Sequence, residues 1–192
     1  MLKAETFPED WREDRLVAME SALGPSDGAI THAAVPFQHG HGAGGRADVA
    51  HFYERVAGVV HATCELIGEE GQIANSLGNY ELAICGRADD DWTVGLIGVL
   101  AYQTLQERLE PGHTLDLGRA APRGATVSAL LFAEFGRFLV RGRRAGLLLC
   151  IGITAGELAA CRNGGRQRVE AGLRAAGVYP FTDLARPSVI VN

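Results

Sequence analysis

The sequence of 192 residues lacks a basic excess, closely spaced cysteines and a long unbroken apolar segment. Lysine is nearly absent, since Lys3 is the one lysine in the chain. Together 18 lysines and arginines face 23 aspartates and glutamates, for a formal net charge of -5. A general nucleic-acid binder needs a basic face that displaces counterions from phosphates. We therefore expect no nucleic-acid partner.

The spacing of the cysteines and the lack of a long apolar segment disfavour disulfides, a cysteine metal site and a membrane anchor. The cysteines are widely spaced, and none forms the Cys-x-x-Cys pair that is common in metal sites, so reduced, structural thiols are expected. They are Cys64, Cys85, Cys150 and Cys161. Residues 1–14 are acidic and contain no apolar core of a signal peptide or membrane anchor. The expected location is the cytoplasm, with no membrane partner.

The composition is that of an ordinary globular domain. Hydrophobic residues make up 47% of the chain and charged residues 21%. A chain of this length buries about 70% of the surface that its unfolded form exposes. We predict a single domain over residues 1–192, whose core spans residues 49–191 and follows an N-terminal helix and a glycine- and histidine-rich loop in residues 1–48.

An apolar run at residues 147–153 is the strongest structural signal in the chain. A strand that is apolar on both faces must be covered on both faces, so this run predicts a strand near the middle of a sheet. Thr154 and Glu157 follow at the spacing of a capping box, in which each side chain satisfies a free backbone amide at a helix start. The helix that they begin is predicted to end at Asn163 and Gly164.

The other elements follow from apolar periodicity and turn residues. Helices are predicted at residues 8–23, 92–109 and 166–176. Strands are predicted at residues 80–85, 127–135 and 188–191, with a hairpin at 49–66 that turns near Gly58, a short strand around Leu115 and Leu117, and a long loop at 26–46. The last helix is predicted to bury Val169, Leu173 and Ala176 and to carry a Glu170–Arg174 ion pair. These elements predict the α+β class, with a mixed, largely antiparallel β-sheet flanked by helices.

Three segments in a fixed order resemble the suppressor-of-fused domain family. The first is the strand at residues 78–84, followed by a helix that begins at Trp92. The second, at residues 111–115, is similar to the family's Gly-x-His strand, and the third is the strand–helix junction at 147–158, with residues 181–184 closing the domain. The resemblance covers residues 49–191, and the order of the segments is more specific than any one of them.

The resemblance implies a protein-binding role. Animal members of the family are regulators without enzymatic activity that hold a transcription-factor peptide between this domain and a second one. Bacterial members look like stand-alone copies, and many are proposed as immunity proteins that neutralise a toxin by direct binding. This chain ends where the second domain would begin, and Gly112 stands where animal members carry an acidic residue. The expectation is therefore a bacterial, non-enzymatic module with a protein partner, such as a toxin.

Two charged clusters are candidate binding surfaces for such a module. Guanidinium groups bind carboxylates in a bidentate manner, so an arginine-rich loop suits an acidic partner, although it equally suits an exposed, soluble loop. Its members are Arg137, Arg141, Arg143 and Arg144. A run of carboxylates suits a basic partner, such as a nuclease toxin, and also suits the start of a helix. These are Asp89, Asp90 and Asp91. The sequence does not decide between the two surfaces.

Two other functions stay open. A metal-dependent enzyme would use the histidine-rich loop, in which His39 and His41 form the tightest pair, together with Glu65 or Asp48. A structural, self-associating subunit would present a large exposed apolar face, and a homo-oligomer is compatible with the sequence.

The remaining reactive residue types favour structural roles. His61 and His113 are expected on strands, half-buried and with one hydrogen-bonded nitrogen each. Ser76, Ser128 and Ser188 are not flanked by the glycines of a nucleophile elbow. The leading hypothesis therefore contains no catalytic residue, no cofactor and no metal.

Overall fold

The computed structural model describes residues 9–88 and 91–190, and within them seven strands form one sheet. The strands are β1 (Ile30–Thr31), β2 (Val49–Phe52), β3 (Val59–Thr63), β4 (Asn79–Gly86), β5 (Thr114–Asp116), β6 (Val127–Val140) and β7 (Arg143–Thr154). Their order is β1-β2-β3-β4-β7-β6-β5. Neighbours are antiparallel except β4 and β7, which are parallel. The predicted α+β class with a mixed, largely antiparallel sheet is confirmed.

Helices cover both faces of the sheet. They are α1 (Glu9–Leu23), α2 (Asp91–Leu100), α3 (Ala155–Ala160) and α4 (Arg166–Ala175). On one face, side chains of α1, α3 and α4 pack against the sheet, and on the other face α2 does so. No helix of the described residues has the length and apolar character needed to cross a bilayer.

The predicted central strand is confirmed as β7, which lies between β4 and β6. Its side chains alternate between the two cores, with Leu147 and Leu149 on the α1 side and Leu148 on the α2 side, all fully buried. The capping box is also present, because Thr154 Oγ1 accepts the Glu157 amide while the Glu157 carboxylate accepts the Thr154 amide. Burial on both faces therefore explains the uninterrupted apolar run.

The predicted arginine-rich loop does not exist as a loop. Strand β6 does not end at Phe135 but continues to Val140, and β7 begins at Arg143, so the connection is only Arg141 and Gly142. Both turn residues have positive φ, 51° and 75°, as in the two-residue turns that suit the twist of a hairpin. Because the turn is tight, β6 and β7 already pair at Val140 and Arg143, directly beside the turn. A longer loop would have shortened this ladder.

Helix α2 ends nine residues earlier than the predicted helix at 92–109, at Leu100. The amide of Ala47 donates to the carbonyl of Gly98 at 2.8 Å, so that carbonyl bonds outside the helix. The chain then tightens into a 3₁₀ turn at Ala101–Leu105. Within the predicted loop at 26–46, strand β1 and two short 3₁₀ turns, Phe37–His39 and His41–Ala43, add local order.

The C-terminal predictions are partly wrong. Helix α4 buries Val169 and Leu173 as expected, but Ala176 is exposed and lies beyond the helix. Glu170 pairs with Arg166 at 3.5 Å, whereas Arg174 lies over the ring of Tyr179 at 3.7 Å. Residues 188–190 do not form the predicted strand, since the amide of Val189 donates to a side chain rather than to a neighbouring strand. Val191 lies outside the described residues.

Gly78 lies at a close backbone contact that supports the start of β4. Its φ is +99°, and a Cβ built there would lie 2.1 Å from the carbonyl oxygen of Arg144. Gly78→Ala is expected to lower the free energy of unfolding by about 3 kcal/mol or more, because left-handed strain and overpacking act together. Gly177→Ala is the matched control, since Gly177 has φ +64° but open space around it, and should cost about 1 kcal/mol. Urea unfolding of both variants measures the difference, and equal losses would contradict the steric argument.

Candidate interaction surfaces

The four predicted arginines do not form one surface. Side chains alternate between the faces of a strand, so the β6–β7 hairpin separates them. Arg141 pairs with Asp14 of α1, and Arg141 and Arg143 lie 4.7 and 5.8 Å from the ring of Trp11. This pair therefore helps to anchor α1 against the hairpin.

The other two arginines lie on the opposite face of the hairpin. Arg137 binds Glu134 through two 2.7 Å contacts, which raise the pKa of Arg137 and lower the pKa of Glu134. Arg144 is exposed and lies across from Leu139, whose exposed fraction is 63%. Among the described residues, neither Arg143 nor Arg144 has a side-chain hydrogen bond or ion pair, and Arg144 also lacks the ring contact that Arg143 makes with Trp11.

The acidic run is described only in part. Asp91 is exposed and begins α2, as the capping argument predicts. Asp89 and Asp90 lie outside the described residues. A role of this run in binding stays a prediction.

The histidine-rich loop does not assemble a metal site among the described residues. His39 and His41 are exposed and belong to two successive 3₁₀ turns. Asp48 instead binds the ring of His32 at 2.7 Å, and Glu65 accepts the amide of Asp48 at 2.8 Å. The carboxylates that were expected to join the loop histidines are therefore held by other groups.

The predictions for the two strand histidines were wrong in burial or location. His61 does lie on β3, but it is fully buried, with its Nδ1 2.8 Å from Nδ1 of His51 on β2. His113 is exposed and precedes β5, and its Nδ1 accepts the amide of Glu110 at 3.4 Å. The ring of His61 thus links β3 to β2, whereas the ring of His113 contacts only the turn that precedes β5.

Buried ionisable groups hold the scaffold together. Glu81 is fully buried, and burial raises its pKa to about 7 even though Arg15 and three hydrogen bonds favour its charged form. Burial alone would raise the pKa of Glu157, but hydrogen bonds from Arg186, Val189 and Thr154 outweigh it and lower that pKa. Burial also raises the pKa of the free thiols, to about 12 for Cys85, which makes them poor nucleophiles.

The sequence did not reveal the open sheet edge at β5. Strand β5 pairs with β6 on one side only, through Leu115, while His113 and Leu117 bond to β6 just beyond its ends. Because main-chain groups of an edge strand alternate in direction, the N–H and C=O groups of Thr114 and Asp116 point away from the sheet. None of the described residues forms a backbone hydrogen bond with these outward groups.

An apolar groove runs beside this edge. Its volume is about 340 Å³, and it lies between β5, the 3₁₀ turn and the side of α2. We call it the β5 groove, and its main apolar lining residues are Leu96, Val99, Tyr102, Leu115 and Leu117. All five are partly exposed. An extended peptide could pair with β5 and place an apolar side chain in the groove.

Comparison with known proteins supports the sequence resemblance. A crystal structure from Neisseria gonorrhoeae FA 1090, assigned as a suppressor of fused homolog, superposes with a TM-score of 0.66 and 14% identity, over 96% of this chain and 99% of that chain. The crystal structure of a Sufu–Fu complex superposes with a TM-score of 0.56 and 15% identity, over 88% of this chain and 81% of that chain. No curated protein sequence matches the chain significantly. The model of the family "Suppressor of fused protein (SUFU)" matches residues 65–187, and the chain therefore belongs to the suppressor of fused family.

Proposed function

We propose that this chain is a non-enzymatic protein-binding module that receives an extended segment of its partner along β5. The observation that carries the proposal is the open edge of β5 beside the β5 groove. Main-chain hydrogen bonds to Thr114 and Asp116 would supply affinity, and the groove would select an apolar side chain. A relative with the same fold is found in a complex with Fu, which is consistent with a protein partner.

The partner that fits best is a basic protein. The chain has a net charge of -5, and opposite charge speeds the encounter of two proteins. Asp116 lies at the open edge, with the guanidinium of Arg162 only 4.0 Å away at an exposed position. An incoming cation can replace that weak contact, because exposed ion pairs contribute little.

The finer proposal is that the chain is an immunity protein that neutralises a toxin by direct binding. It would block the toxin through association alone, since the described thiols are poor nucleophiles and no metal cluster assembles among the described residues. Co-expression with each candidate secreted toxin from the same genome tests this role. Cells that carry both should survive, and equal killing with and without the chain would refute it.

Thr114→Pro tests the binding mode separately from the toxin role. Proline removes the outward N–H of β5 and is tolerated on an edge strand whose N–H faces solvent. A partner segment would lose one main-chain hydrogen bond and keep an unsatisfied carbonyl, so we expect about tenfold weaker binding or more. Thr114→Val keeps the N–H and is the matched control.

Titration calorimetry with the purified toxin measures the effect, and thermal unfolding checks that both variants stay folded. Retention of full affinity by a folded Thr114→Pro variant would exclude strand addition at β5. Loss of affinity in both variants would instead assign the contact to the hydroxyl of Thr114.

A further inference from the structure

A second cleft lies between the start of α1 and the segment that follows β3. We call it the acidic cleft, and its volume is about 440 Å³, within the usual range of small-molecule sites. It is lined by Trp11, Arg15, Gln38, Glu65, Gly68, Glu69 and Glu70. It shares no lining residue with the β5 groove. The function proposed above makes no use of it.

Arg15 has an unmet hydrogen-bonding requirement in the acidic cleft. Its exposed fraction is only 7%, and its Nη1 donates to the carbonyl of Ile67 at 2.9 Å. Its Nε makes no hydrogen bond with any described residue. Nε itself is enclosed by the protein, but Arg15 lines the cleft, so a ligand carboxylate that reaches its guanidinium there would form a charge-assisted contact.

The carboxylates of the cleft require the opposite kind of group. Glu65, Glu69 and Glu70 face one arginine, so the lining carries an excess of negative charge when they are ionised. Glu69 accepts hydrogen bonds from Gln38 and from the Gly71 amide, and Glu65 accepts one from the Asp48 amide. No cation among the described residues forms an ion pair with any of the three. They are available to a ligand's ammonium or guanidinium group.

The wall of the acidic cleft is already assembled. The ring of Trp11 packs against Gly68, where an added Cβ would lie 2.7 Å from the indole. The guanidinium of Arg141 covers the same ring at 4.7 Å from its centroid. A rigid wall lowers the entropy that a ligand would lose by ordering the site.

We propose that the acidic cleft binds a dibasic amino acid, with its carboxylate on Arg15 and its cationic groups on Glu65, Glu69 and Glu70. A simple anion would be repelled by three glutamates, and a polyamine would leave Arg15 without an acceptor. A metal ion is disfavoured because the described residues contain no group of three carboxylates, histidines or cysteines that could hold one. A ligand that carries both kinds of charge satisfies the whole lining.

Titration calorimetry of the full chain with L-arginine and L-lysine tests the proposal. Agmatine is arginine without the carboxylate, and L-citrulline is an analogue with an uncharged side chain. We expect saturable binding of L-arginine or L-lysine and at least about tenfold weaker binding of agmatine and of L-citrulline. No saturable binding of either dibasic amino acid at millimolar concentration overturns the proposal, and so does agmatine that binds as well as L-arginine.

Two substitutions locate the site without removing the buried arginine. Glu69→Gln and Glu70→Gln each remove one charge at partly or fully exposed positions and should weaken L-arginine binding about tenfold together. Glu107→Gln is the matched control, because Glu107 is exposed and lies outside the cleft. Unchanged binding in the Glu69→Gln/Glu70→Gln double variant would place the ligand elsewhere. These measurements need no toxin, so their outcome is independent of the role proposed for β5.

Discussion

Glu157→Ala is expected to lower the free energy of unfolding by about 3–5 kcal/mol, which for a domain of this size is a large share of the total. Glu157 is fully buried and binds the Arg186 guanidinium through both oxygens, at 2.5 and 2.8 Å. It also accepts the amides of Thr154 and Val189. Its removal leaves a buried arginine without a counter-charge and two amides without acceptors. Urea unfolding measures the loss.

Glu134→Ala is the control for this prediction. Glu134 forms an equally regular pair with Arg137, but both side chains are about half exposed, at 44% and 52%. Exposed pairs are screened by water and contribute little to stability, so the unfolding midpoint should hardly move. Similar losses in Glu157→Ala and Glu134→Ala would show that burial does not set the strength of these pairs.

Glu81→Gln is expected to remove most of the pH dependence of stability between about pH 5 and 7. In the folded protein the pKa of Glu81 is raised to about 7, compared with 4.5 when unperturbed. The folded state therefore holds a proton that the unfolded state has released in this window. Stability should fall by up to about 3 kcal/mol as the pH rises through the window and then level off.

The amide of glutamine suits the surroundings of Glu81. Its oxygen can accept the amides of Leu66 and Ile67, as Oε1 does now at 2.9 and 2.8 Å. Its NH₂ group can donate to the hydroxyl of Thr63, which lies 2.7 Å from Oε2. The variant should therefore stay folded. Urea unfolding at pH 5.5 and pH 8 gives the free energy of unfolding of both proteins at each pH. If that free energy changes with pH as much in Glu81→Gln as in the unsubstituted protein, other groups cause the pH dependence.

Local patterns predicted the centre of the fold well. The strand β7 and its capping box depend on consecutive residues, and a doubly buried strand has few other sequence solutions. The sequence predicts a loop at the hairpin tip because the charge of its arginines is typical of a surface loop. The apolar residues between them, such as Phe138 and Val140, indicate the strand that the structure contains. The dipeptide Arg141-Gly142 was the available signal for a tight turn.

The sites themselves depend on contacts between distant parts of the chain. Glu157 was assigned its capping role from the sequence, but its stronger partner, Arg186, is 29 residues away. The open edge of β5 exists because no further strand pairs with it among the described residues, and a local pattern cannot show that. The acidic cleft likewise brings Arg15 of α1 to glutamates about 50 residues later. Periodicity carries no information about such pairings.

The parallel pairing of β4 with β7 has a consequence for synthesis on the ribosome. Residues 79–83 of β4 align with residues 145–149 of β7, so more than 60 residues must emerge before the centre of the sheet can close. Until then the nascent chain presents β4 as an unprotected apolar edge, which is the kind of surface that pairs with other chains. Molecular chaperones that shield nascent strands should therefore matter more for this protein than for one whose sheet is built from successive hairpins alone.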